Sequence, residues 1–89
     1  MKYRRKLGIV DAVQYVDSKE GIAEVLRFCP QAGLFSPREH ETSPFFIIKT
    51  LEGNMEAHVG DWLVRGIKGE YYPVKPDIFS ALYEPVEVP

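Results

Sequence analysis

A single cysteine, two histidines and the lack of any long apolar run set the first limits on this 89-residue chain. Cys29 alone cannot form an intramolecular disulfide, and cysteine-built structural zinc sites are excluded with it. It falls on the apolar face of an expected helix, where a free thiol behaves as a small hydrophobe. His40 and His58 belong to a loop and to the solvent face of a strand. No H-x-x-x-H or C-x-x-C spacing accompanies them, so no metal site is expected. Nothing approaches the ~20 apolar residues of a membrane span. The basic opening Met1-Lys2-Tyr3-Arg4-Arg5-Lys6 is followed by Leu7-Gly8-Ile9-Val10, which Asp11 cuts too short for a signal-peptide core. A cytoplasmic setting with no membrane partner is the expectation.

Catalytic signatures are equally scarce. There is no G-x-G-x-x-G or P-loop, and Gly66-Ile67-Lys68-Gly69 is too short and lies between strands. No nucleophile stands beside a base. Glu39, His40 and Glu41 read as a solvated loop cluster, and Asp61 reads as a turn cap. The chain is therefore expected not to be an enzyme, to use no cofactor and to hold no metal. Charge of one sign is also missing: the formal net charge is −2, with four of the 11 Lys+Arg in residues 2–6 and seven left against all 13 Asp+Glu. Duplex DNA, which is bound through many cation–phosphate contacts, is not an expected partner.

What is present suits one small domain spanning 1–89. A chain this size buries only roughly 60–65% of its unfolded surface and cannot be divided further. Its 45% hydrophobic and 27% charged content is that of a folded protein. Residues 9–16 are rich in β-branched and aromatic types with both faces apolar, which predicts a central strand carrying Ile9, Val13 and Tyr15 on one side. Asp17 as N-cap with Glu20 predicts a helix over about 18–29, whose face is Ile22, Val25, Leu26 and Cys29 and which Pro30 ends. Residues 30–44, with three prolines and a polar run, read as a long loop. Phe45–Thr50, Asn54–His58, Trp62–Arg65 and Glu70–Val74 read as a four-strand meander. Pro76 opens a short helix over about 76–82, and residues 83–86 return as an edge strand. The fold class is α+β: a small twisted antiparallel sheet or partly open barrel with one packed helix and a short C-terminal one.

Between Gly60 and Tyr83, aromatic residues alternate with cations. Aromatic rings stack on nucleobases and Arg or Lys neutralises phosphate, so the segment suits a small anionic nucleotide or single-stranded nucleic acid. Arg65, Lys68, Tyr71 and Lys75, helped by Arg4 and Arg5, are the expected ligand-binding residues. Core packing is the competing use of Trp62 and Phe79. Tyr71 and Tyr72 face opposite sides of their strand, and one of them is expected to be open to a ligand. The Arg4-Arg5-Lys6 run has two readings, a solvated arm that blunts an edge strand or a phosphate-contacting arm.

The opening Met1–Lys6 with Val10–Tyr15, and the run Gly60–Phe79, resemble a family of small phage and prophage proteins. Val59 stands where that pattern often has Pro, and Val74 where it often has Cys, so a thiol there is not required. In size, setting and aromatic-basic composition the chain is similar to phage sponges that sequester the cyclic oligonucleotides of host defence, such as the anti-CBASS proteins. The resemblance implies an immune-evasion protein of the infected bacterial cytoplasm. It would bind a cyclic dinucleotide or related signal without cleaving it. Because a single 89-residue chain has little volume to enclose such a ligand and its strands are apolar on both faces, a homo-oligomer with pockets between subunits is expected. The alternative is an interaction module or accessory factor that blocks a host protein.

Overall fold

A computed structural model describes residues 1–5 and 8–86, apart from the side chain of Arg5. Its elements are β1 (Lys2–Arg5), β2 (Gly8–Gln14), α1 (Lys19–Phe28), β3 (Gly33–Phe35), β4 (Phe45–Thr50), β5 (Gly53–Ala57), β6 (Trp62–Arg65), β7 (Tyr71–Val74), α2 (Pro76–Leu82) and β8 (Glu84–Pro85). They form an α+β fold with a five-stranded antiparallel sheet in the order β7-β6-β2-β1-β8 and a three-stranded sheet in the order β3-β4-β5. Neither sheet closes into a barrel.

β2 is central because both of its faces are apolar and each has something to cover it. On one face Val13 and Tyr15, with Leu63 of β6, pack against Val25 and Cys29 of the α1 segment and Phe46, Ile48 and Ala57 of the small sheet. On the other, Val10 and Ala12 join Tyr3 and Val64 under Phe79 and Tyr83 at α2. Burying each such large side chain contributes on the order of 1.5–3 kcal/mol. Coverage of the first face stops short of the strand's start. Ile9, expected there with Val13 and Tyr15, is 50% exposed.

Four local expectations need correction. The N-cap of α1 is Ser18, whose Oγ accepts from the Gly21 N–H at 2.9 Å, while Asp17 instead accepts from the Ser43 hydroxyl at 2.8 Å. The 30–44 segment is not all loop, since Gly33–Phe35 pairs with Phe45–Ile47 and Phe35 stacks on Phe45. The meander divides between the two sheets at Val59-Gly60-Asp61. There the Gly60 N–H donates to the Tyr15 carbonyl and the Tyr15 N–H to the Asp61 carbonyl, both at 2.9 Å, so β6 is captured by β2 rather than by β5. Gly60, at φ +93°, supplies the left-handed backbone this turn requires. Finally, the basic N-terminal run is no arm over its first residues: β1 is an interior strand between β2 and β8. Lys6 lies outside the described residues.

Candidate functional site

Strand register decides which cations meet. In an antiparallel sheet, directly opposed residues share a face. Lys2 opposes Asp11, Asp11 opposes Arg65, and Arg65 opposes Tyr71, giving one row across four strands. Arg4 lies in the next row on the same face, opposite Ile9 on one side and Glu84 on the other. Asp11 is spanned by its neighbours, accepting from Arg65 at 2.7 Å and from Lys2 at 3.0 Å. Those two contacts, Arg65 first, hold its carboxyl below the usual range. The Lys2 and Arg65 side chains nonetheless remain 59% and 43% exposed.

The end of α1 borders this row. Phe28 packs edge-on against Tyr71 at 5.7 Å between centroids, and the Arg65 guanidinium lies 5.6 Å from the Phe28 ring. Arg27, Phe28 and Arg65, with Glu24, Met1 and Val13, line a shallow hollow of about 480 Å³. The result is an open sheet face carrying Lys2, Arg4, Arg65 and Arg27 beside a half-buried aromatic pair. Asp11, Glu24 and Glu84 are the carboxylates within or around it.

Three of the expected ligand residues, Arg65, Tyr71 and Arg4, thus share one face. Lys68 is exposed at the tip of the β6–β7 hairpin, at the same end of the strands. Lys75 is not part of this group. It stands four residues beyond Tyr71, about 13 Å along an extended chain, as the N-cap of α2, and its ammonium is held by the buried Asp61 at 3.1 Å. Arg5 closes β1, and its side chain lies outside the described part. Lys2, Arg27 and Phe28 were not among the expected residues. Lys2 was legible only as one of a basic run, and nothing local shows that the last turn of α1 comes down beside β6.

The opposite face and the outer edge of β7 carry a second set of hollows. One of about 390 Å³ is lined by Val10, Ile67, Lys68, Glu70, Tyr72 and Tyr83, among others. Two more adjoin it around Tyr72 and Pro73. The Tyr72 and Tyr83 hydroxyls lie 3.2 Å apart. Tyr71 and Tyr72 are both half-buried, each packed on a different core.

The polar run of the 36–44 segment is not simply solvated. Arg38 donates to both oxygens of Glu56, at 2.8 and 2.6 Å, and lies 4.1 Å over the Phe45 ring. His58 stands between Glu56 at 3.0 Å and Glu41 at 3.4 Å. Arg38, and secondarily His58, bring the Glu56 carboxyl down to about 2. The Cys29 thiol is pushed up, chiefly by burial, which keeps it protonated and unreactive.

Among the described residues, no helix is long and apolar enough to cross a membrane. No group of three or more His, Cys, Asp or Glu among them is placed to hold a metal ion. Comparison with known proteins finds no matching family model, no matching curated protein and no matching solved structure.

Proposed function

We propose that this domain is a non-catalytic binder of a small phosphate-bearing ligand, and that the ligand is a cyclic oligonucleotide signal of bacterial defence, sequestered intact during phage infection. The supporting observation is the row that places Lys2, Arg65 and Tyr71 side by side, with Arg4, Arg27 and Phe28 at its margins. Half-exposed cations at strand spacing match the several phosphates of a cyclic oligonucleotide, and the half-buried Phe28 and Tyr71 rings beside them offer a base aromatic contact. Asp11 keeps the row from being uniformly basic, which disfavours long nucleic acid more than a compact anion. The phage setting comes from the resemblance of the Gly60–Phe79 run.

A panel of cyclic and linear nucleotides in a thermal-shift assay tests this reading. One of them should raise the melting temperature; at roughly 100 times its dissociation constant it adds about 2.7 kcal/mol to the fold. Arg4→Ala, Arg27→Ala and Lys68→Ala, all at exposed positions, should each weaken binding by about 1–3 kcal/mol and leave the unliganded melt nearly unchanged. The ligand recovered after denaturation should be intact on chromatography. A panel in which nothing shifts the melt defeats the nucleotide reading.

A second reading, a module that blocks a host protein, is favoured by a different observation. Leu51 and Ile67 are 84% and 73% exposed, and with Met55, Ile78 and Leu82 they border the adjoining hollows around Tyr72 and Tyr83. Contiguous exposed apolar surface of this kind marks interaction sites. Under this reading Leu51→Glu abolishes partner capture, and under the first it leaves nucleotide binding unchanged.

A further inference from the structure

Glu70 is the one described residue with a buried side-chain oxygen, Oε2, that has no hydrogen-bond partner. A carboxylate oxygen shut away from both water and donors is strongly destabilising, so such atoms are rare unless something else completes them. The carboxyl group rests directly against Gly66, with Oε1 in the space a Cβ there would take. Glu70 also stands between two adjoining hollows and lines both. Rotation about the soft terminal torsion of a glutamate turns either oxygen toward them.

The walls around that carboxylate are apolar and aromatic. Val10, Leu51 and Ile67 contribute aliphatic surface, and Tyr72 and Tyr83 contribute rings. Apolar walls, ring faces and an uncompensated carboxylate together suit a cation on an apolar body. The carboxylate takes a charge-assisted hydrogen bond, the rings attract the positive charge, and the aliphatic walls cover the rest. Among the described residues Lys68 lines the same hollow as a competing cation, yet no ion pair joins it to Glu70. We propose that the hollow between Glu70, Tyr72, Tyr83 and Ile67 is a binding site for a primary amine or guanidinium carried on an apolar stem. It lies on the face of the large sheet opposite the Lys2–Arg65 row and does not rest on the nucleotide reading.

The test is an amide-resolved NMR titration of the full chain with phenethylamine, its neutral analogue 2-phenylethanol, its anionic analogue phenylacetate, and Nα-acetyl-lysine N-methylamide. Phenethylamine should shift Gly66, Glu70, Tyr72 and Tyr83 in a saturable way, with the neutral and anionic analogues far weaker. Glu70→Gln should weaken it at least about tenfold, the loss expected for one charged hydrogen bond. Leu51→Ala, at an exposed wall position, weakens it without touching the core. Lys68→Ala, which removes a cation from the hollow wall, should strengthen amine binding. Binding of phenethylamine alone identifies a free amine as the ligand. Binding of the lysine derivative as well identifies a basic side chain of a protein. Absence of saturable shifts, equal binding of 2-phenylethanol, or indifference to Glu70→Gln overturns the proposal.

Discussion

Gly21 sits in the first turn of α1, where a glycine would ordinarily be a defect. A Cβ at this position would overlap the carbonyl oxygen of Val16 and crowd the Ser18 hydroxyl that caps the helix. The close approach follows from the chain leaving β2 and entering the helix within a few residues, which turns the Val16 carbonyl back over the first turn. Alanine has the better helix propensity by about 1 kcal/mol, so in an unconstrained helix Gly21→Ala would stabilise. Here the obstacle is backbone and cannot swing aside, and overpacking of that kind costs typically 1–3 kcal/mol. Gly21→Ala is therefore expected to lower the melting temperature, as read by circular dichroism. An unchanged or higher value would show that Val16 has room to move.

At the scale of elements, the segment between β3 and β4 is held by charge rather than by a core. Arg38 clasps Glu56 on β5, and Glu41 accepts from the Arg38 N–H at 2.9 Å and faces His58. Tyr15 donates to the Pro44 carbonyl at 2.8 Å where the segment rejoins β4. The pH dependence follows from Glu56. Its carboxyl lies at about 2 in the fold, below the roughly 4.3 of a free glutamate. A depressed carboxyl contributes stability fully present above its unfolded pKa and lost as pH falls through the folded one. The Arg38–Glu56 clasp should thus survive at pH 3 and open only near pH 2. A side-chain carbonyl NMR titration should find the Glu56 midpoint near 2, moving to the ordinary range in Arg38→Ala. An ordinary midpoint in the parent chain would mean the clasp does not form in solution.

On the scale of the whole molecule, the fold leaves more apolar surface open than one chain covers. Leu51, Met55, Ile67, Ile78 and Leu82 are all exposed and border hollows along the outer side of β7, the strand that ends the large sheet. No backbone hydrogen bond joins β7 to the three-stranded sheet among the described residues. Exposed aliphatic side chains gathered along one side of the molecule favour association between copies. Light scattering at micromolar concentration is expected to give a mass above the 10.2 kDa of one chain, reduced by Ile67→Glu. A monomer at all concentrations, with and without ligand, would rule out pockets built between subunits.

Much of this was written in local pattern. The two-faced apolar run at residues 9–16, the Ile22, Val25 and Cys29 face ending at Pro30, from which Leu26 turns out exposed, and the Pro76 helix start each follow from spacing and backbone chemistry that neighbouring residues settle among themselves. The sequence by itself therefore determined an α+β domain with a central β2, a packed α1 and a short α2. Pairing between distant segments was not local and was not legible. Whether β6 joins β5 or β2 depends on two hydrogen bonds between Tyr15 and the Gly60-Asp61 turn. Whether Arg4 is an arm or part of a strand depends on β8 returning to its far side. The same holds for the candidate site. Composition marked Arg65, Tyr71 and Arg4, but only the antiparallel register put them on one face with Lys2, only the docking of α1 brought Arg27 beside them, and the start of α2 took Lys75 to Asp61. A side chain's face is a local property with a period of two, whereas its neighbours across the sheet are set by tertiary pairing.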